Sequence, residues 1–469
     1  MTVQMIGGEM LLWSDMDDPV RGAALAPLVA AATGRVLVAG PHHPDLFGTD
    51  VTHDFLVRGV PDATALAGRF GSATVWCGGP EKLTGRYDTV LALDGVGRLS
   101  SVEGIDADVG HLAAVLAPGG RLMLGAANPL GVHRLAAAPG DEPADARWCE
   151  PDPVPAPALG QSAVLAAFPH PTTPAVVLSA GLLADPRYRG FAEAAVARAG
   201  MPGMQVARAG TPGMQVARAG TPGDGRPGDG AAPAAVLDPV RLAVDAVRQG
   251  VAVALAPGWI SGAPECCVVD GRMLTPGADG TWPVPEGRTL LDHVVAAARR
   301  RDMPRVRTLL TRWRGGPAAG VPAGQVLIMP DDDLVALSEP GGEGAALMAL
   351  AADLMRGGHA TAWPAPDGET GLARTLAAMT GVDLPDGALP PPPPLAARAD
   401  LVAQGQRLSR RVAALEAKLA WFENALTDRD AALARAYQVN RVLAGKPVAR
   451  AGAAAVEAVR LLRRALRRR

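Results

Sequence analysis

An α/β chain built on a doubly wound parallel sheet is what the sequence predicts from one stretch, and two others divide the chain around it. Residues 88–128 read as strand, crossover helix and parallel strand; residues 196–225 are a tandem decapeptide; residues 401–433 carry a heptad repeat. In the first stretch the apolar run Val90–Leu93 is short enough for a strand buried on both faces, and Asp94-Gly95 closes it. Val109, Leu112, Ala113 and Leu116 then fall three and four apart on one face of a helix over 106–117. Pro118-Gly119-Gly120 stops that helix, since proline lacks a donor and glycine accepts a left-handed turn, and Arg121–Leu124 is the next strand.

Taken from the N-terminus, residues 1–18 carry Glu9, Asp15, Asp17 and Asp18 but no periodic pattern. Pro19 opens a predicted helix to Ala32, ended by Gly34. Arg35–Ala39 is a strand running into the turn Gly40-Pro41-His42-His43, and only Pro44–Thr49 separates it from a second strand at Val51–Val57. A short helix over Pro61–Phe70 and a third strand at Ala73–Cys77 follow, the latter closed by Gly78-Gly79. Ala163–Phe168 and Ala175–Leu178 are two further strands around a Pro-His-Pro loop, while Pro139–Gly160 is too proline-rich for a helix.

Tyr87-Asp88, the acid Asp94 and the turn Leu116-Ala117-Pro118-Gly119-Gly120 resemble the fourth and fifth strands of the class I S-adenosylmethionine-dependent methyltransferases. That resemblance implies a seven-stranded, Rossmann-like sheet finished by an antiparallel pair, with S-adenosylmethionine as cofactor. It places the cofactor at Val38, Ala39, Gly40, Pro41 and His42 after the first strand and at Arg58 after the second. Cys77 and Gly78 follow the third strand, and Leu93, Asp94 and Gly95 the fourth. The chain departs from the family's Asp/Glu-x-Gly-x-Gly pattern: Val38 stands at the acid and His42 at the second glycine, while Arg58 replaces an acid that grips the ribose. His42 and His43 read either as ligand contacts or as solvated turn residues. Residues 98–104 and 128–134 resemble an actinobacterial subgroup with a C-terminal coiled coil. Both loops leave the carboxyl ends of strands, so His133 and Glu103 are candidates for a general base. The alternative reading of Asp94, Glu103, Asn128 and His133 is that they pin turns.

These readings divide the chain into a methyltransferase-like domain over 1–190 and a decapeptide-repeat linker over 191–232, whose Pro-Gly units cannot bury a core. A second small α/β domain of unreadable role spans 233–386. Within it a helix runs from Asp238-Pro239 to Gln249 with Gly250 as stop, then a strand over Val251–Leu255. Helices over 290–301 and 304–313 precede a hairpin, Val326–Met329 with Leu334–Leu337, across Asp331-Asp332-Asp333. Those three acids lack further ligands at a known spacing and read as a solvated turn, so no metal is expected. A proline-rich spacer at 387–396 leads to a coiled coil over 397–443 and a basic amphipathic helix over 447–469.

A formal net charge of -2 disfavours a nucleic-acid partner. Four scattered cysteines build no disulfide framework, and Cys266-Cys267 reads as small buried residues. With no signal peptide or apolar span of about 18 residues, the expected location is the cytoplasm. The basic helix adds a possible contact with the inner face of the membrane, alongside the reading of a solvated tail. Two functions from different classes follow. One is a methyltransferase acting on a small molecule or an envelope saccharide, held as a homo-oligomer by its coiled coil; the other is a methyltransferase-like scaffold that no longer takes the cofactor.

Overall fold

The computed structural model describes residues 2–466 apart from 17, 49–52, 100–104, 137–162, 201–236, 364–367, 383, 385–386, 388, 393–397 and 446. Its main sheet is built from β1 (Thr2–Gly7), β2 (Val36–Ala39), β3 (Asp54–Val57), β4 (Thr74–Gly78), β5 (Tyr87–Ala92), β6 (Leu116–Ala127), β7 (Leu165–Phe168), β8 (Val176–Ser179), β9 (Gly258–Ser261), β10 (Cys267–Val269) and β11 (Arg272–Leu274). They pair in the order β1-β4-β3-β2-β5-β6-β9-β7-β8-β10-β11, parallel from β1 to β6 and antiparallel beyond. All residues of β2 and β3 are buried, as expected of parallel strands covered by helices on both faces. Those helices include α1 (Leu25–Ala30), α2 (Val60–Arg69) and α3 (Ile105–Ala114).

The doubly wound half holds the expected elements, except that α3 ends at Ala114 and Leu116–Gly120, expected as helix end and turn, already belong to β6; the sheet corrects the count from seven strands to eleven. β1 comes from residues without a readable pattern and adds to the far edge, Val3 opposite Val75. The helix expected from Pro19 begins only at Leu25, because Val20 bridges to His42 and extends the chain there. The Tyr87-Asp88 motif buttresses the amino end of the sheet. Tyr87 donates to buried Asp54 (3.0 Å), which also takes Arg35 (2.8 Å), while Asp88 accepts the Arg35 backbone N–H (2.8 Å).

The larger correction is at the other side. β7 and β8 form the expected strand–loop–strand, yet the strand beside β6 is β9, paired Leu124 to Ser261 on one flank and Leu165 to Ile260 on the other. β9 lies beyond the decapeptide array, so the sheet does not stop at residue 190, and residues 1–400 form one compact unit. The strand expected at Val251–Leu255 is instead a helical turn. After α4 (Val132–Ala136), α5 (Ala180–Ala184), α6 (Arg189–Ala199) and α7 (Pro239–Arg248), α8 (Ala252–Leu255) leads into β9. Asp238 caps α7 by accepting from the N–H groups of Val240 and Arg241.

The first residues of the linker expected over 191–232 are helix instead. α6 includes the opening Val196-Ala-Arg-Ala of the array, and Val196 and Arg198 are buried in it. Arg198 donates to Gln325 (2.8 Å) and to the Leu337 carbonyl (3.0 Å) and pairs with Asp270 (3.0 Å). A burial of this kind fixes the residues as helix whatever their repeat context. The rest of the array, 201–225, falls outside the described residues.

Arg198 thereby ties the main sheet to a small lobe rather than a separate domain. There β12 (Arg288–Thr289), β13 (Val326–Ile328) and β14 (Leu334–Ala336) form an antiparallel sheet in that order. α9 (Leu290–Arg299), α10 (Met303–Gly315), α11 (Glu343–Arg356) and α12 (Gly368–Met379) enclose a core with Leu290, Val294, Leu310, Trp313 and Leu350. The expected hairpin crosses Asp331–Asp333 with Asp332 left-handed. Residues 401–469 form a second unit, the long helix α13 (Arg398–Gly445), unbroken at Gly405, and α14 (Pro447–Leu466).

Candidate functional site

The strand order reverses between β2 and β5, so the loops after these two strands stand side by side at the carboxyl edge of the sheet, where doubly wound folds take ligands. Gly40 has a φ of 94°, a region that disfavours a side chain, and a Cβ there would lie 3.9 Å from that of Asp94. The predicted cofactor residues Gly40, Leu93, Asp94 and Gly95 are therefore brought together. Val38 and Ala39 are fully buried inside β2, with Val38 in register with Phe55 and Leu91. Neither presents a polar group to the crevice.

His42 is neither a solvated turn residue nor open to a ligand: it is 2% exposed. The Leu93 N–H donates to its Nε2 (3.3 Å), which leaves the proton on Nδ1 to donate to the Gly40 carbonyl (3.1 Å). Burial lowers its pKa to about 4, keeping the imidazole neutral. The side chain thus cross-links the two loops. His43 faces outward and caps a short 3-10 turn by accepting from Asp45 N–H.

Asp94 is 5% exposed on its side chain and faces the guanidinium of Arg98, Nε to Oδ2 at 2.8 Å and Nη2 to Oδ1 at 3.1 Å. Burial raises the Asp94 pKa to about 7 against the pull of Arg98. The remaining amino group of Arg98 donates to the carbonyls of Asp15 (3.1 Å) and Asp18 (2.8 Å). That contact draws residues 8–16 and 18–20 across the strand ends as a strap. Met10 bridges to Gly59 and Val20 to His42, and buried Asp62 accepts from the Ser14 hydroxyl (2.5 Å) and the Asp15 N–H (2.9 Å). Gly59 is required here, since a Cβ would lie 2.4 Å from the Trp13 carbonyl.

The other predicted cofactor positions are spent on the same strap. Arg58 donates to the Gly8 carbonyl through Nε (3.2 Å) and Nη2 (3.0 Å). Pro41 offers its carbonyl to Val20 N–H (2.8 Å). Gly78 is paired with Gly7 of β1, and the Cys77 thiol is buried with its pKa raised to about 11. Arg98, Asp62 and Ser14 are site residues that periodicity did not single out; Arg98 carries the one retrievable signal, four residues after the strand-end acid.

Farther along the edge, Asn128 is a loop pin: its amide donates to the carbonyls of Ala254 (2.8 Å) and Ala256 (2.7 Å), fastening the approach to β9. His133 packs edge-on against His170, ring centroids 5.3 Å apart, and its buried Nδ1 has no partner. Burial, then the neighbouring His170, lowers the His133 pKa to about 4. Glu103 lies outside the described residues. Among the described residues no cluster of three or more metal-ligating side chains occurs, and no helix is long and apolar enough to cross a membrane.

No protein-family profile and no curated protein matches the chain. Among solved structures it is similar to the methyltransferase CcbJ from Streptomyces caelestis, at 22% identity and a TM-score of 0.21 over 27% of this chain and 57% of that one. A S-adenosylmethionine-dependent methyltransferase from Bacteroides fragilis, in complex with S-adenosyl-L-homocysteine, shares 13% identity at a TM-score of 0.17, over 23% of this chain and 47% of that one. The glycopeptide N-methyltransferase MtfA, complexed with sinefungin, shares 19% at a TM-score of 0.20, over 28% and 61%. The chain spans about half the length of these structures. At this overlap the likeness carries no weight for function, and the strand order and the site stand on their own.

Proposed function

We propose that the carboxyl edge between β2 and β5 is a S-adenosylmethionine site and that the chain is a methyltransferase for a small-molecule or saccharide acceptor. The observation that supports this is the juxtaposition of left-handed Gly40 with Asp94 at the point where the strand order reverses. The residues fit the amino-acid end of the cofactor once the strap shifts and the ion pair opens: Asp94 and Arg98 then offer opposite charges to a zwitterion, and Gly40 leaves the backbone open beside them. The nucleoside end meets the strap, which has to shift for the ligand to enter.

S-adenosylmethionine supplies a methyl group on a sulfonium. The chain's own part is to align the acceptor, exclude water and, where the acceptor carries a proton, take it up. His133 is uncharged at neutral pH, with Nδ1 able to accept. His170, missed in the sequence, stands beside it with its pKa also lowered by burial. The basic helix α14, with Arg460, Arg463 and Arg464 alongside exposed Val456, Val459 and Leu462, is proposed to touch an anionic membrane surface; co-flotation with anionic but not neutral vesicles tests it.

A second reading, a scaffold with a permanently closed crevice, is favoured by buried Val38, by the His42 cross-link and by the Arg98-latched strap. Calorimetric titration with S-adenosylmethionine and S-adenosylhomocysteine separates the two. Saturable binding supports the enzyme, and none at millimolar ligand supports the scaffold. Binding that appears only in Val38→Asp with His42→Gly identifies these two side chains as the obstruction.

A further inference from the structure

Among the described residues, the apolar stripe of the long helix α13 is exposed. Val412, Leu415, Leu419, Phe422, Leu426 and Leu433 are each 50% exposed or more, although a fully exposed stripe of this size is rare on a lone soluble helix. They alternate at spacings of three and four through Leu426, which places Val412, Leu419, Leu426 and Leu433 at heptad position a and Leu415 and Phe422 at position d. Arg429 at d and Asn440 at a are the polar exceptions. One asparagine at an a position selects register and strand number, at a cost in stability.

The same register decides the occupant and its direction. The g positions before the seam are Arg411 and Lys418, and the e positions after it are Glu416 and Glu423. In a parallel pair, each g residue faces the e residue five positions later on the other helix, so Arg411 meets Glu416 and Lys418 meets Glu423, on both sides of the seam. In an antiparallel pair g faces g and e faces e, which sets Glu416 and Glu423 against the acidic e row, Asp430 included, and leaves Arg411 and Lys418 opposite Ala432 and Ala425 with no carboxylate to pair with. Leu415 and Leu419 line a shallow apolar groove with Glu416 and Glu423 among its other lining residues, a hole shaped for a knob from the opposite strand.

We propose that α13 docks on α13 of a second copy of this chain, in parallel and in register. This assembly does not depend on the cofactor reading above, and its test is separate from ligand binding. Sedimentation velocity of the full chain at micromolar concentrations should give twice the 47.9 kDa chain mass. Val412→Cys, in a Cys149→Ser background, should cross-link to a dimer under mild oxidation, while the background alone does not. Arg411→Glu with Lys418→Glu should weaken the dimer at least tenfold, and adding Glu416→Lys with Glu423→Lys should restore it. That rescue separates lost pairing from misfolding. A monomer at these concentrations overturns the proposal. So does a dimer that fails to cross-link at 412, or one indifferent to the g reversal, the second outcome pointing to an antiparallel or different partner surface.

Discussion

Asp94 and Arg98 form a two-point ion pair at the end of β5, and the same guanidinium holds the backbone of Asp15 and Asp18. One arginine therefore neutralises the strand-end acid and latches the segment that crosses it. At about pH 8.5, above the Asp94 pKa of about 7, removing it leaves a buried carboxyl that must take up a proton or stay charged without a counter-charge, at a cost of up to about 2 kcal/mol. Arg98→Ala should lower the denaturation midpoint accordingly, and Arg98→Ala with Asp94→Asn should recover more than half, because an amide needs no counter-charge. If the double variant is no better than the single, the latch and not the charge carries the stability.

His42 sets a pH dependence of definite sign. Its folded pKa of about 4 lies below the ordinary 6.5, so the unfolded chain takes up the proton first and stability is lost as pH falls from about 6.5 towards 4. The full effect is about 3 kcal/mol. Against His42→Gln, the stability advantage of the parent should be largest at about pH 7.5 and narrow by about pH 5, followed by chemical denaturation at each pH.

Arg198, in the described unit Val196–Gly200, is buried with its guanidinium in hydrogen bonds. Arg198→Ala should cost about 3 kcal/mol, since it strands the Gln325 and Leu337 acceptors and frees Asp270 from its partner. Arg198→Lys should recover only part, lacking the fork that reaches three acceptors. Thermal denaturation of the three proteins decides it.

Deleting one decapeptide from the array should leave the fold intact. By loop-closure entropy, shortening the connection between α6 and α7 by one unit changes stability by about 0.3 kcal/mol. A shift in melting temperature of more than a few degrees would show that the array packs on the body.

The doubly wound half was legible because its strands are buried on both faces and read as continuous apolar runs; β2, β3, β4 and β5 all fall where Val36–Ala39 and its successors indicate. β1 was not, since an edge strand such as Thr2–Gly7 has exposed residues and no period. β9 was displaced by its own flanks. Val251–Leu255 is as apolar as a strand, but the helical turn there is fixed by Asn128, which takes the Ala254 and Ala256 carbonyls from a distance in sequence that no local pattern reveals. At the site, Gly40 and Asp94 were marked by turn chemistry. His42 was misjudged because its burial depends on Leu93 across the reversal point, and the strap was invisible because Asp62, Arg58 and Arg98 hold backbone carbonyls and N–H groups rather than a sequence pattern.

The insertion of β9 between β6 and β7 has a consequence for biosynthesis. Until the ribosome has delivered residue 261, the nascent chain holds β6 and β7 without the strand that joins them, and their unpaired backbone groups present an open edge. Completion of the sheet therefore waits for the translation of everything up to that point, array included.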